Sequence, residues 1–576
     1  MCFNFPTFAK PKNVVCNLAE RLTLYQNILN KFLTVKTKIF CTLFFTFLFH
    51  IVNGQLTDSL SKKVDSIFAD YNKTNSPGCA LAILKDGKII YEKGYGISNL
   101  EYNIPINPSS IFHVASISKQ FTAAAIIMLS LEGKLSLNDD IRKYLPEVPD
   151  FGHTITFNHL LHHTSGLRDQ WELQTFAGWR SDDLITENDI IEMLACQKLL
   201  NFLPGDEEAY CNTGYTLLGI AVKRISGLSL REYADSVFFK PLGMTSTHFH
   251  NNHAEITPNR TSAYQKDENG KWEISIPVFD TYGATNLFTT VGDLAKWDEN
   301  FYTKKVGGNN LINAMQVMGV LNNNMQQTYA SGLYTETHNG YKTIMHSGSD
   351  AGYRSIFIRF PDEHFSIILL ANLANIRVKK LAYKVVDVFL IDKGLKDIAV
   401  AFKTDTTIVK RWAGEYIDLT TKSTLELNYE NGNLQIGNTD LKPSSNFVFS
   451  DFESKTKFSL RGDSKKIKCL LSSESDIDRT FEKVERIKLT REQLLEYKGE
   501  FYSPELDTKY RISSNDVELI VKIPRTKEMQ FSPYIRDMFY GDFNILFSRD
   551  KKNKVNGFYL TTGGVRNLYF KKQMAK

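Results

Sequence analysis

Two regimes of apolar patterning divide the chain. Between about residues 57 and 390, short apolar runs are interleaved with longer helix-forming segments. Ala80–Leu84 and Ile89–Glu92 flank Asp86-Gly87, which predicts a β-hairpin. An apolar segment over about 117–132, stopped by Gly133, predicts a long helix, and a second is predicted over about 213–226, stopped by Gly227. Ser355–Phe360 and Ser366–Ala371, separated by Pro361-Asp362, predict a closing hairpin. Helices lying between an opening and a closing hairpin imply an α+β fold, an antiparallel sheet with helices on its faces.

From about residue 405 the text changes to short alternating segments punctuated by turn residues, and it repeats. Trp412-Ala413-Gly414-Glu415-Tyr416 recurs as Tyr497-Lys498-Gly499-Glu500-Phe501, and Arg479–Lys483 parallels Arg566–Lys571. Two copies of one all-β unit are expected, each a small antiparallel β-barrel, over 405–488 and 490–576.

The front of the chain reads differently again. Lys36 and Lys38 precede Ile39–Val52, an apolar run of 14 residues. That is short of the roughly 20 residues a spanning helix needs, but it fits the apolar core of an export signal. Residues 1–54 are therefore expected to be a leader that directs the protein out of the cytoplasm, to the periplasm, the envelope or the medium. Left uncleaved, it would tie the protein to a membrane.

Charge serves here only to exclude. The formal net charge is +5, yet six of the basic residues and one acidic residue lie in 1–54, which leaves 63 of each beyond it. A neutral body lacks the clustered basic footprint of a nucleic-acid-binding protein. Hydrophobic content of 42% and charged content of 23% are those of a chain that buries a core. Outside the leader, Cys79, Cys196, Cys211 and Cys469 are scattered without C-x-x-C spacing, so they predict isolated buried thiols, with neither a zinc site nor a disulfide framework. No metal or organic cofactor is expected.

Candidate chemistry begins at Phe112-His113-Val114-Ala115-Ser116-Ile117-Ser118-Lys119. A serine and a lysine three apart at the start of a helix share one face. The lysine can take the serine's proton if its surroundings hold it neutral. Ser-x-x-Lys also occurs at Ser59–Lys62, Ser454–Lys457 and Ser548–Lys551, so only the context, an extended approach and an apolar helix, singles out Ser116. Tyr210-Cys211-Asn212, on a loop before the second helix, offers a phenol and an amide to one cleft. His346-Ser347-Gly348-Ser349 precedes the closing hairpin, and its glycine suits a strand that a substrate backbone approaches closely. His162 and His163 resemble a metal pair, but adjacent residues seldom share a ligand geometry, and a structural role is expected.

Taken together and in this order, the three motifs resemble those of the serine β-lactamase and penicillin-binding-protein superfamily, nearest to class C β-lactamases and their esterase, D-aminopeptidase and DD-carboxypeptidase relatives. Leu160–Leu167, Pro241–Met244 and Gly292–Trp297 support the likeness, which covers roughly residues 60–385 of a hydrolase domain placed at 57–395. The two repeats resemble the lipocalin-like barrels of some D-aminopeptidase-like members. The resemblance implies an all-helical lobe beside the sheet. It also implies Ser116 as acylated nucleophile, Lys119 as its base, Tyr210 as proton shuttle to the leaving group, and Asn212 as partner of Lys119 and of the substrate amide. His346, Ser347 and Gly348 would form the substrate-flanking strand, with the N–H groups of Ser116 and Ser349 as oxyanion donors.

One position departs from the pattern. His346 stands where β-lactamases usually carry lysine, and histidine is mostly neutral near pH 7. Recognition of a β-lactam carboxylate should weaken, which favours an amide or ester of a small-molecule or short-peptide substrate over a true class C-like β-lactamase. A catalytically silent envelope binding protein is the reading from another class.

Overall fold

Asp86 and Gly87 both adopt left-handed backbone angles, φ 49° and 74°, the geometry that turns two adjacent antiparallel strands directly into each other. The structure, a computed structural model, describes residues 57–390, 402 and 404–574, apart from 438, 452–455, 463–465 and 473–477. The leader and its expected export signal lie outside the described residues. No described helix is long and apolar enough to cross a membrane.

The turn joins β1 (Cys79–Lys85) to β2 (Lys88–Tyr95). Four further strands follow late in the chain: β3 (Tyr334–His338), β4 (Tyr341–Asp350), β5 (Tyr353–Phe360) and β6 (Phe365–Ala371). They form one antiparallel sheet in the order β3-β4-β5-β6-β1-β2. The opening and closing hairpins fuse where β1 pairs with β6, from Cys79 opposite Ala371 to Lys85 opposite Phe365.

Both faces of this sheet are covered, which explains why β1 and β6 read as unbroken apolar runs. Cys79, Leu81 and Ile83 join Val64, Phe68 and residues 378–386 in one core. Ala80, Ala82 and Leu84, on the opposite face, belong to a larger core with the mid-chain helices. Two of these carry the site, α1 (Ser118–Leu131) and α2 (Asn212–Ser226), and they pack on each other. Every residue of α1 from Ser118 to Ile127 is buried, so it is a central helix with no solvent stripe. Gly133 and Gly227 lie just past the two helices at φ 71° and 78°, the stops expected from sequence.

Both repeats are all-β, and they differ in closure. Eight strands from Gly499–Ser503 to Leu568–Lys572 form a closed barrel. The first repeat is a nine-stranded sheet wound almost to closure: its two edge strands, Thr439–Asp440 and Lys442–Pro443, are separated by Leu441 alone. In each copy the matched glycine starts the first strand at a φ closed to most residues, 136° for Gly414 and 147° for Gly499. A Cβ there would strike Lys483 or Lys572, each on the last strand of its copy. Tyr416 pairs with Lys483 as Phe501 pairs with Lys572, so the structural register aligns Phe481 with Phe570 and corrects the sequence match at this end by one residue.

One expectation about the cysteines fails. Cys79, Cys211 and Cys469 are buried free thiols, but Cys196 is exposed, because it caps the C-terminus of the surface helix Glu187–Ala195.

Candidate active site

Ser116 sits in a one-turn helix, Ala115–Ile117, that runs straight into α1. Ala115 takes φ 48°, a left-handed conformation that costs an alanine about 1–2 kcal/mol. Hydrogen bonds hold the turn on both sides. The Ser355 hydroxyl donates to Val114 O at 2.7 Å, the Val114 N–H to Leu287 O at 3.0 Å, and the Ser118 hydroxyl to Ala115 O at 2.5 Å. Gly348 lies against this turn: a Cβ would fall 2.4 Å from Val114 O and 2.9 Å from Ala115 Cβ. The glycine therefore admits the protein's own nucleophile turn, where the sequence suggested a substrate backbone.

Lys119, one turn into the helix, is fully buried. Its Nζ lies 3.2 Å from Ser116 Oγ, 2.9 Å from Asn212 Oδ1 and 2.7 Å from Ala284 O. The rings of Tyr210 and Tyr215 flank it at 4.8 and 5.5 Å. Burial pushes the ammonium down to about 7, against the opposing pull of Asp169 and Asp350. Near neutrality much of the amine is thus uncharged. It then has two N–H groups and one lone pair. Asn212 Oδ1 and Ala284 O can only accept, so they take the two N–H groups, and the lone pair is left for Ser116, which alone of the three can donate.

The sense of the Asn212 amide is set by a residue the sequence did not single out. The Asp169 carboxylate accepts from the Asn212 backbone N–H at 2.7 Å and from Nδ2 at 2.9 Å, which turns Oδ1 toward Lys119. Asp169 also caps the helix Gln170–Ala177 by accepting from Trp171 N–H. An N-cap is legible from sequence; its reach across to residue 212 is not.

Tyr210 stands over the same amine with a buried hydroxyl that makes no hydrogen bond of normal geometry. Burial raises its pKa well above 10, and the neighbouring Ser116 hydroxyl pulls weakly the other way, so the group is a neutral phenol. Its loop is shaped by His163, whose Nδ1 accepts from Cys211 N–H at 3.1 Å and whose ring lies 4.3 Å from that of Tyr210. His163 is structural, as expected. The ring nitrogens of His162 face two backbone carbonyls, which can only accept: Nδ1 lies 2.9 Å from Asn158 O and Nε2 3.2 Å from Val317 O.

On the far wall, His346 is 2% exposed and enclosed by Tyr210, Tyr329 and Tyr334. Nδ1 lies 2.6 Å from Ser347 O and so carries the proton, and Nε2 accepts from the Tyr329 hydroxyl at 3.2 Å. Burial and the nearby Lys119 push it down to about 3. His346 is therefore a neutral wall residue throughout the physiological range. Ser347 is half-buried and Ser349 exposed. The pairing of β3 with β4 ends at Met345, so among the described residues no strand covers the outer edge of residues 346–350. At its end Asp350, pushed up to about 6 by burial, accepts from the Thr285 hydroxyl at 3.0 Å.

All eight residues singled out in the sequence lie on the three segments that converge here, and Asp169, Ala284, Tyr215 and Tyr329 join them. Among the described residues, one group elsewhere has metal-ligand composition. His248, His250 and Glu255 bring ligand atoms within 4.8 Å of one another. Glu255 is already held by both terminal guanidinium nitrogens of Arg231, and burial, with Arg260 and Arg231 as nearby cations, depresses both histidines, so the surroundings oppose a dication.

A family model described as Beta-lactamase matches residues 64–387, more than half of the chain. The chain belongs to the beta-lactamase family. Protein flp of Staphylococcus aureus (strain MRSA252) is 29% identical over 340 residues, which are 57% of this chain and 66% of that protein. The chain thus spans just under two thirds of the length of Flp. Penicillin-binding protein 4* of Bacillus subtilis (strain 168) is 28% identical over 334 residues, 54% of this chain and 71% of that protein. The structure of an octameric penicillin-binding protein homologue from Pyrococcus abyssi superposes with a TM-score of 0.53 at 22% identity and covers 82% of this chain and 100% of that one. That likeness is one of fold, and 82% is more than residues 64–387 can supply.

Proposed function

We propose that the protein is an exported serine hydrolase that cleaves an amide or ester bond of a small peptide-like substrate through an acyl-serine intermediate. The observation that carries this reading is the hydrogen-bond pattern of Lys119, whose neutral form has its lone pair left over for the Ser116 hydroxyl. As Ser116 Oγ bonds to the substrate carbonyl carbon, its proton passes to Lys119 Nζ, and the carbonyl π electrons move to oxygen. The N–H groups of Ser116 and Ser349 receive that oxyanion. Collapse expels the leaving group, which takes a proton from the neutral Tyr210 phenol; Tyr210 is restored from Lys119. Water then attacks the ester, with the same pair accepting its proton and passing it to the departing Ser116 Oγ, so that the acid product and the free serine are restored.

The neutral, enclosed His346 supports the substrate class. With no cation at that position, a substrate carboxylate gains little there, which disfavours efficient β-lactam turnover. Export rests on the basic and apolar pattern of residues 1–54.

A fluorophosphonate probe read by intact mass tests the chemistry. One adduct on the native protein and none on Ser116→Ala is the expected result, and an unlabelled native protein would overturn the reading. A hydrolysis screen of D- and L-aminoacyl p-nitroanilides, p-nitrophenyl esters and nitrocefin then ranks substrates, with nitrocefin expected last.

A further inference from the structure

A short turn of the closed barrel lies against the segment that carries Asp169. At residues 562–567, the Gly564 carbonyl accepts from the Asp169 N–H at 2.9 Å and from Asn201 Nδ2 at 2.9 Å. The Gly564 N–H donates to the Glu172 carboxylate, which also takes the Thr562 hydroxyl, and the Arg566 N–H donates to Asn201 Oδ1 at 2.7 Å. Arg168, next to Asp169 and 2% exposed, donates to the carbonyls of Arg566 and Asn567 at 2.9 and 3.2 Å and pairs with Glu505 of the same barrel at 2.8 Å. A second hold lies on the other motif. Glu207, three residues before Tyr210, binds Arg566 at 3.0 Å and Arg479 of the first repeat at 2.7 Å.

We propose that the turn at 562–567 is a positioning element of the site: by holding Asp169 it fixes the sense of the Asn212 amide, and thereby which atom of Lys119 faces Ser116. This rests on the hydrolase reading above. Asp169 receives the Asn212 backbone N–H and an N–H of Nδ2, so a displaced Asp169 leaves the amide free to rotate and to present Nδ2 to the amine. Two donors would then face each other, and the lone pair of Lys119 would turn to Asn212 instead of Ser116. The packing leaves no slack. A Cβ on Gly564 would lie 2.9 Å from Asp169 Cβ and from Glu172 Cδ, whereas one on Gly563 would meet nothing within 4 Å.

That contrast supplies the experiment. Full-length native protein, Gly564→Val and the control Gly563→Val are labelled with a fluorophosphonate from pH 5 to 9, with melting temperature measured alongside. Gly564→Val should label about ten- to a hundred-fold more slowly at pH 8. Its acid limb should also move to lower pH, because Lys119 loses the anion that favours its ammonium; general loosening would lower the rate without moving the limb. Gly563→Val should match the native protein. Asn201→Ala, which removes two anchors of the turn without adding volume, should show the same changes in smaller degree and carries the test if Gly564→Val does not fold. Native rate and native limb in both Gly564→Val and Asn201→Ala, or an equal fall in Gly563→Val, overturns the inference alone. A native protein that does not label overturns the hydrolase reading and the inference together.

Discussion

A single oxygen of Asp169, Oδ2, accepts two N–H groups of Asn212, the backbone one at 2.7 Å and one of the side-chain amide at 2.9 Å. This pairing makes Asn212 an acceptor toward Lys119 and fixes the direction in which a proton can leave Ser116. Asn212→Asp keeps the shape but replaces the amide by a second carboxylate beside the amine. An opposite charge favours the ammonium, so the acid limb of activity should move above the native midpoint and the rate at pH 7 should fall at least about ten-fold. A pH–rate profile of probe labelling checks both.

The native profile itself should show the Lys119 ionisation near pH 7, with activity rising as the amine loses its proton, and a further step near pH 6 would belong to Asp350. His346, held down to about 3, should contribute no second limb between pH 5 and 9. His346→Gln should leave the midpoint in place even where it changes the rate.

The same amine affects stability. Its folded value of about 7 lies below the ordinary 10.5, so the unfolded chain binds the extra proton between those limits. Stability should therefore rise with pH from about 7 to about 10, and level off outside that window. Urea denaturation of native protein and Lys119→Met should reveal it as a difference that grows in favour of the native protein across this range.

Arg168 and Glu505 form a buried pair, 1% and 6% exposed, across the seam between hydrolase domain and barrel. Glu505→Ala leaves the guanidinium without its counter-charge and should cost about 3–5 kcal/mol, read as a lower denaturation midpoint. Arg511 and Glu500, both exposed, provide the control; Glu500→Ala should cost less than about 1 kcal/mol.

Gly348→Ala puts a methyl group within 2.4 Å of Val114 O and Ser355 Oγ. Forcing β4 away from the nucleophile turn should cost about 1–3 kcal/mol, and labelling of Ser116 should slow more than the melting temperature alone accounts for.

Sequence pattern determined the local parts of this protein, since turn residues, helix stops and apolar period act over a few residues. The hairpins around Asp86-Gly87 and Pro361-Asp362, the helices ending at Gly133 and Gly227, the repeat marked by Gly414 and Gly499, and the Ser116–Lys119 pairing all follow from it. Tertiary structure decided the rest. Asp169, Ala284 and Tyr329 join the site through hydrogen bonds between segments far apart in the chain, and nothing near residue 564 marks a glycine that bears on a carboxylate almost four hundred residues earlier. Burial, too, is collective: whether Lys119 titrates near 7 and His346 stays neutral depends on water excluded by several segments at once, a property that no single stretch of sequence carries.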